Sequence, residues 1–392
     1  MKHKVYYGEY TLQYWIDLMV SKDIELPRYQ RHFVWEEYMV RNFIANLGRH
    51  FFIPPVIIGQ YIENGQMKNL ILDGQQRLTS LLLSKLGIFP DKTKFVYKPE
   101  LVMDENDDYD EEENYTGISE WTYRKIIDGH RTIDSVDSAI DRDLYKSINY
   151  HVDDKFFNEH YLGFCYLIPY SDQSQQQQKF YSSLFRSINA QGVALLRQES
   201  REALYFLDNT KLQYFKPDFI ESINIKLSTG IAHIDYARFL ALLANYKKEN
   251  NYNKVALGVK KDFEAYYEEY IQVVVGDEDS AKFGQFSVLF PNNELQNRMD
   301  SLRRYIEALK LSEKTYSSII NLDVDFFGLI YYVLFEGKDI DLTKRDQLKS
   351  VLIQKAERFR KDDKHTKNPS GLTHIRRRMK ESIETYKKYL LR

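Results

Sequence analysis

Cysteine is almost missing from these 392 residues, with Cys165 the only one. A single thiol excludes a disulfide within the chain, and no Cys/His cluster has the spacing of a zinc site. Long apolar runs are lacking as well. The longest, Phe326 to Phe335, falls far short of the roughly 20 residues that cross a bilayer, and the opening Met1-Lys2-His3-Lys4-Val5-Tyr6-Tyr7 holds no apolar signal core. Nor does one sign of charge dominate: 55 Lys/Arg face 57 Asp/Glu, a net −2, which excludes a global attraction to nucleic acid and leaves only local patches. The expectation is a cytoplasmic protein without a membrane partner.

What remains is ample for folding. Hydrophobic residues reach 43% and charged ones 29%, and the length predicts two cores. The 31 tyrosines are read as amphipathic packing rather than a base-stacking surface.

One stretch organises the rest: Leu70-Ile71-Leu72-Asp73-Gly74-Gln75-Gln76-Arg77-Leu78-Thr79. An apolar strand stops at an Asp-Gly turn and a leucine-rich helix starts behind it. Unpaired N–H groups at that helix mouth, together with Gln75, Gln76 and Arg77, suit a phosphate, and Asp73 at the strand end suits a magnesium ion riding on it. The alternative is a plain tight turn in which Arg77 pairs with Asp73.

Upstream, Pro27 fixes an extended segment that exposes Arg28, Gln30 and Arg31, read either as an anion clamp or as two solvated arginines. An amphipathic helix is expected over 36–50, and a strand from Phe52 to Gly59 with its prolines at the start. Strand, turn, strand and helix then make a small α+β layer. Residues 103–114 hold eight acids in twelve positions and read as a solvated loop, followed by a polar helical insert over 118–161. Gly163 to Pro169 is a further strand. Beyond about residue 200 the pattern is helical, clearest over 237–246, 255–274, 296–311, 325–335, 343–360 and 375–391.

Leu26-Pro27-x-Tyr29-Gln30-Arg31 with Trp35, then Ile53-Pro54-Pro55 and Asp73-Gly74-Gln75-Gln76-Arg77, resembles in order and spacing the amino-terminal domain of GmrSD-type, modification-dependent restriction endonucleases. That family sits in the ParB/sulfiredoxin-like superfamily of nucleotide binders. Asn189, Gly192, Leu195 and Glu199 resemble its downstream motif, with Leu196 a departure where a small hydroxyl residue is usual. The resemblance implies an α+β fold: a ParB-like mixed sheet with helices over 1–200 and a mainly helical domain over 201–392.

It also implies a nucleoside triphosphate site. Arg77 and the Gly74 to Gln76 backbone would hold phosphates, Arg28, Gln30 and Arg31 would close over them, Asp73 and Asn189 would position Mg²⁺, and Gln75 or Gln76 would orient water. The expected role is a Mg-dependent triphosphatase subunit of a restriction or anti-phage system. The alternative is a ParB-like DNA-binding protein that uses nucleotide as a switch without turnover. Residues 355–392 carry 13 Lys/Arg against 5 Asp/Glu, so Arg376, Arg377 and Arg378 are the candidate nucleic-acid contact. No His-x-x-Pro signature of an HNH nuclease occurs, and His233, His365 and His374 are read as standing apart. A separate nuclease subunit is therefore the implied partner.

Overall fold

Thr11 ends the first strand, β1 (Lys4–Thr11), and starts the first helix, α1 (Leu12–Ser21), because its hydroxyl accepts the Tyr14 N–H at 3.2 Å. Helical spacing then gathers Leu12, Trp15, Ile16, Met19 and Val20 on one buried face, at about 1.5–3 kcal/mol for each large apolar side chain. Helix α2 (Glu37–Gly48) buries Val40, Phe43, Ile44 and Leu47 in the same way, and helix α3 (Gln75–Leu86) buries Leu78, Leu81, Leu82 and Leu86. All three share one core with Val56, Ile58, Ile71 and Leu162, which come from a four-stranded sheet.

That sheet runs β1-β6-β2-β3, where β2 is Val56–Glu63, β3 is Gln66–Asp73 and β6 is Tyr161–Ile168. The outer pairs are antiparallel and the central β2–β6 pair is parallel, so the sheet is mixed. Glu25 extends the β3 edge by one parallel bridge: its N–H donates to the Asn69 carbonyl and its own carbonyl accepts the Ile71 N–H, each at 2.8 Å. Among the described residues, no helix is long and apolar enough to cross a membrane.

The architecture is α+β with a helical C-terminal region. This computed structural model describes residues 4–27, 33–63, 66–91, 93–95, 121–150, 152–169, 173, 176–177, 180–181, 184, 197–205, 207–227, 230–259, 263–291 and 294–391. The acidic stretch 103–114 lies outside them. Two elements differ from expectation. The N-terminal residues form β1, and the helical insert with irregular breaks over 118–161, seen as α4 (Arg124–Ile127), α5 (Ile133–Ala139) and α6 (Asp154–Glu159), also holds a strand, β5 (Tyr145–Ser147), which pairs with β4 (Ile88–Pro90). Trp121, Tyr123, Ile126, Ile127, Val136 and Phe157 are buried. Each short helix buries only one or two apolar residues, so no stripe shows in the sequence.

Contacts divide the chain into two units, the second opening at Asp208, a little beyond the expected boundary at 200. Its helices include α8 (Tyr236–Glu249), α9 (Phe263–Gly276), α10 (Glu294–Ala308), α11 (Ile319–Ile330), α12 (Arg345–Arg360) and α13 (Leu372–Tyr386), while α7 (Arg197–Tyr205) closes the first unit. A three-stranded sheet joins them, β8-β7-β9, formed by Asn224–Leu227 (β7), Gly230–His233 (β8) and Thr315–Tyr316 (β9).

Helix α11 is the core of this unit, and α13 lies directly against it at Gly328. A Cβ there would meet the Tyr386 ring at 2.5 Å and the Ser382 carbonyl at 2.6 Å. The Ser382 hydroxyl accepts the Gly328 N–H at 2.8 Å and donates to the Val324 carbonyl at 2.7 Å, joining the two helices.

Asp323, on the same helix, is fully buried between two arginines. Arg238 donates to both its oxygens at 2.7 and 2.8 Å and Arg378 donates through Nε at 2.9 Å. The two guanidiniums hold its carboxyl below the usual range against the opposing effect of burial. Removing the carboxylate leaves two buried cations facing each other. Asp323→Ala is therefore expected to lower unfolding stability by about 3–5 kcal/mol, measurable by urea titration at neutral pH.

Candidate functional site

The strand-to-helix junction forms within one residue. Gly74 stands at φ +100°, a left-handed conformation that favours glycine, and a Cβ on it would meet Val56 Cγ2 at 3.0 Å and Arg77 Nη2 at 3.2 Å. Just before it, the β2–β3 register shifts: Ile58 faces Ile71 but Ile57 faces Asp73, so Leu72 is the extra residue of a bulge. A bulge re-aims the side chain beyond it, and here that side chain is Asp73.

Helix α3 opens with the Leu78 N–H on the Gly74 carbonyl at 2.9 Å, and its N-cap, Gly74, has no side chain to cap it. The main-chain N–H groups of Gln75, Gln76 and Arg77 therefore precede the first intrahelical bond. Arg77 reaches back along this turn and donates through Nη2 to Asp73 Oδ2 at 2.5 Å and to the Pro55 carbonyl at 3.5 Å. Its side chain is 12% exposed and that of Asp73 34%. Among the described residues, Arg77 Nε is buried without a partner. The ion pair of the tight-turn reading is thus formed.

Gln75 and Gln76 are both buried. The Gln76 side-chain oxygen accepts the backbone N–H of Val34 at 2.9 Å and of Trp35 at 3.3 Å. These two amides, and the Pro55 carbonyl, are partners that the sequence reading missed. Their only signal was the proximity of Trp35 and Ile53-Pro54-Pro55 to the quoted motifs. Arg28, Gln30, Arg31 and Asn189 lie outside the described residues.

The junction fits an anion through the α3 amides, the Arg77 cation and the bare Gly74. It fits magnesium more narrowly. Asp73 offers one partly exposed carboxylate, and among the described residues no group of three His, Cys, Asp or Glu can hold a metal. One carboxylate suits an ion carried in on phosphates, not one held by protein alone.

The arginine triplet separates in the structure. Arg378 is fully buried on Asp323, which corrects its assignment to a nucleic-acid surface. Arg376 donates through Nε to the Val255 carbonyl at 2.9 Å, and only Arg377 is exposed, with Asp362 at 3.4 Å. Successive helical residues point about 100° apart, so three in a row cannot share a face.

The histidines also differ from expectation. His365 and His374 meet Nδ1 to Nδ1 at 2.9 Å across the turn that precedes α13. Arg378 donates to His365 Nε2 at 2.8 Å, so His365 carries its proton on Nδ1 and donates it to His374. Burial first, then Arg378 and His374, push the His365 imidazole down to about 3, and burial with Arg378 lowers His374 too. Unfolded chains bind the proton near 6.5, so the contribution is complete above that pH and is lost as pH falls toward 3. From pH 7 to pH 4 the protein should lose roughly 3 kcal/mol more stability than His365→Leu, read from paired urea titrations.

The family model described as "GmrSD restriction endonuclease, N-terminal domain" matches residues 16–206, just under half of the chain, and covers the whole Gly74 junction. No curated protein and no solved structure matches.

Proposed function

Residues 16–206 belong to the GmrSD restriction endonuclease N-terminal domain family, and from that premise we propose that this chain is a nucleoside triphosphate-binding, Mg-dependent hydrolysing subunit of a restriction or anti-phage defence system. The observation that carries the reading is the α3 mouth, where a partly buried arginine, the first-turn amides of the helix and a side-chain-free residue converge on one point.

In this reading Arg77 and the Gly74 to Gln76 backbone bind phosphate oxygens, with charge-assisted bonds from the guanidinium. Arg28, Gln30 and Arg31 would add charge and hydrogen bonds from the preceding segment, while Asp73 and Asn189 would hold the magnesium. Bound magnesium would offset phosphate charge. Gln75 is left as the side chain to orient water, because the Gln76 oxygen already accepts two backbone amides. A separate nuclease subunit is the proposed partner for DNA cleavage, in keeping with the restriction-endonuclease family. The ParB-like character of the sheet and a cytoplasmic setting belong to the same proposal.

A second reading has its own observation. Arg358, Arg360, Lys361, Lys364 and Lys367 are all exposed within ten residues, and among the described residues none has an ion-pair partner. That stretch, five cations against Asp362 and Asp363, favours the alternative, a DNA-binding protein for which nucleotide is only a switch. Steady phosphate release separates the two, being expected only of the hydrolase.

Arg77→Ala should weaken Mg-dependent triphosphate binding at least about 100-fold, as expected for losing a partly buried charged contact, with the far-ultraviolet circular dichroism unchanged. Calorimetric titration with each of the four ribonucleoside triphosphates is the check. Undiminished binding removes the reading.

A further inference from the structure

Gln76 is the second residue of α3 and is 7% exposed. A carboxamide oxygen has two lone pairs, and here they face two donors, the Val34 and Trp35 N–H groups. Orienting a nucleophilic water needs an oxygen able to accept its proton in a hydrogen bond. The Gln76 oxygen is already committed. Its main-chain carbonyl is engaged as well, accepting the Ser80 hydroxyl at 2.7 Å.

The backbone that Gln76 holds is fixed on its other side too. The Phe33 N–H donates to the Trp121 carbonyl at 2.9 Å, and the Phe33 ring is buried with Trp121 and Phe89 at centroid distances of 5.7 and 6.1 Å. Residues 34 and 35 lead into α2, whose N-cap Glu36 makes no side-chain cap. Their amides need acceptors from elsewhere, and the side chain at the α3 mouth supplies one.

We infer that Gln76 is a positioning residue: its carboxamide clamps the 33–35 segment to the opening turn of α3, setting the spacing between that segment and the Gly74 to Arg77 backbone without touching the reacting atoms. The clamp stands on its own geometry, while its consequence for turnover rests on the triphosphate reading.

Gln76→Met keeps length and bulk but removes the acceptor, and Gln76→Glu keeps an acceptor at the same place. In the full chain without nucleotide, Gln76→Met should speed deuterium exchange in the peptide spanning residues 33–36 about tenfold, the equivalent of one lost hydrogen bond, and Gln76→Glu should restore slow exchange. Gln75→Met serves as the control and should leave that peptide unchanged. Equal exchange in wild type and Gln76→Met overturns the clamp, whatever the nucleotide result. With ATP and Mg²⁺, Gln76→Met should raise KM about tenfold and hold kcat within about threefold, the pattern of lost positioning. A kcat drop of about 100-fold at unchanged KM overturns the inference in favour of water orientation. No ATP turnover by the wild type defeats the triphosphate reading alone and leaves the exchange result to decide the clamp.

Discussion

Gly74 has to be left-handed and bare, and the first unit is arranged around that. A strand directed along the sheet becomes a helix within one residue only if the backbone takes a positive φ, and the site of the missing Cβ is lined by Val56 and Arg77. The sharpness of the turn decides where everything else lands. It lays the α3 mouth beside the start of β2, brings Arg77 to the Pro55 carbonyl, and leaves Asp73 at the strand end within reach of the guanidinium. A wider turn would carry the amides and the arginine away from each other.

The two units bury charge in opposite ways, and the difference separates scaffold from site. In the second, Asp323 is enclosed, with both carboxylate oxygens used, and Arg378 also donates to His365 and the Pro369 carbonyl. Nothing there can exchange partners without opening the core. In the first, Asp73 is one-third exposed and only one of its oxygens meets Arg77. A pair at that depth is held far less tightly than a dry one. Arginine content alone would have favoured the basic C-terminal end. Exposure and spare hydrogen-bonding capacity favour the junction.

Much of this was legible in the sequence. The leucine spacing of α3, the Asp-Gly stop before it and the apolar stripe of α2 are local patterns with one structural solution each. The helical character of the second unit came from the same periodicity. Other features were hidden because they depend on tertiary partners. Strand β1 is exposed along most of its length and carries no alternation, so only its pairing with β6 makes it a strand. Arg378 reads as one of three surface arginines until Asp323, far away in the sequence, turns it inward. His365 and His374 meet only because a turn folds α13 back, and Gln76 looks like its neighbour Gln75 until Val34 and Trp35 arrive.

The Arg77–Asp73 pair was the bland alternative for the junction, yet its presence fits the proposed function as well as the tight turn alone. A cation at a helix N-terminus faces the positive end of the helix dipole, an unfavourable place unless an anion lies nearby. Here Asp73 is that anion. In the proposed reading Arg77 turns its fork to phosphate, which frees the Asp73 oxygen it had held, and Asp73 then has both oxygens for a divalent ion. Each partner leaves the pair for one of opposite charge, so neither is stranded at any stage. The pair differs from Asp323, which is dry and has both carboxylate oxygens used. The partial exposure of Asp73 and the unpartnered Arg77 Nε are what a pair built for exchange requires.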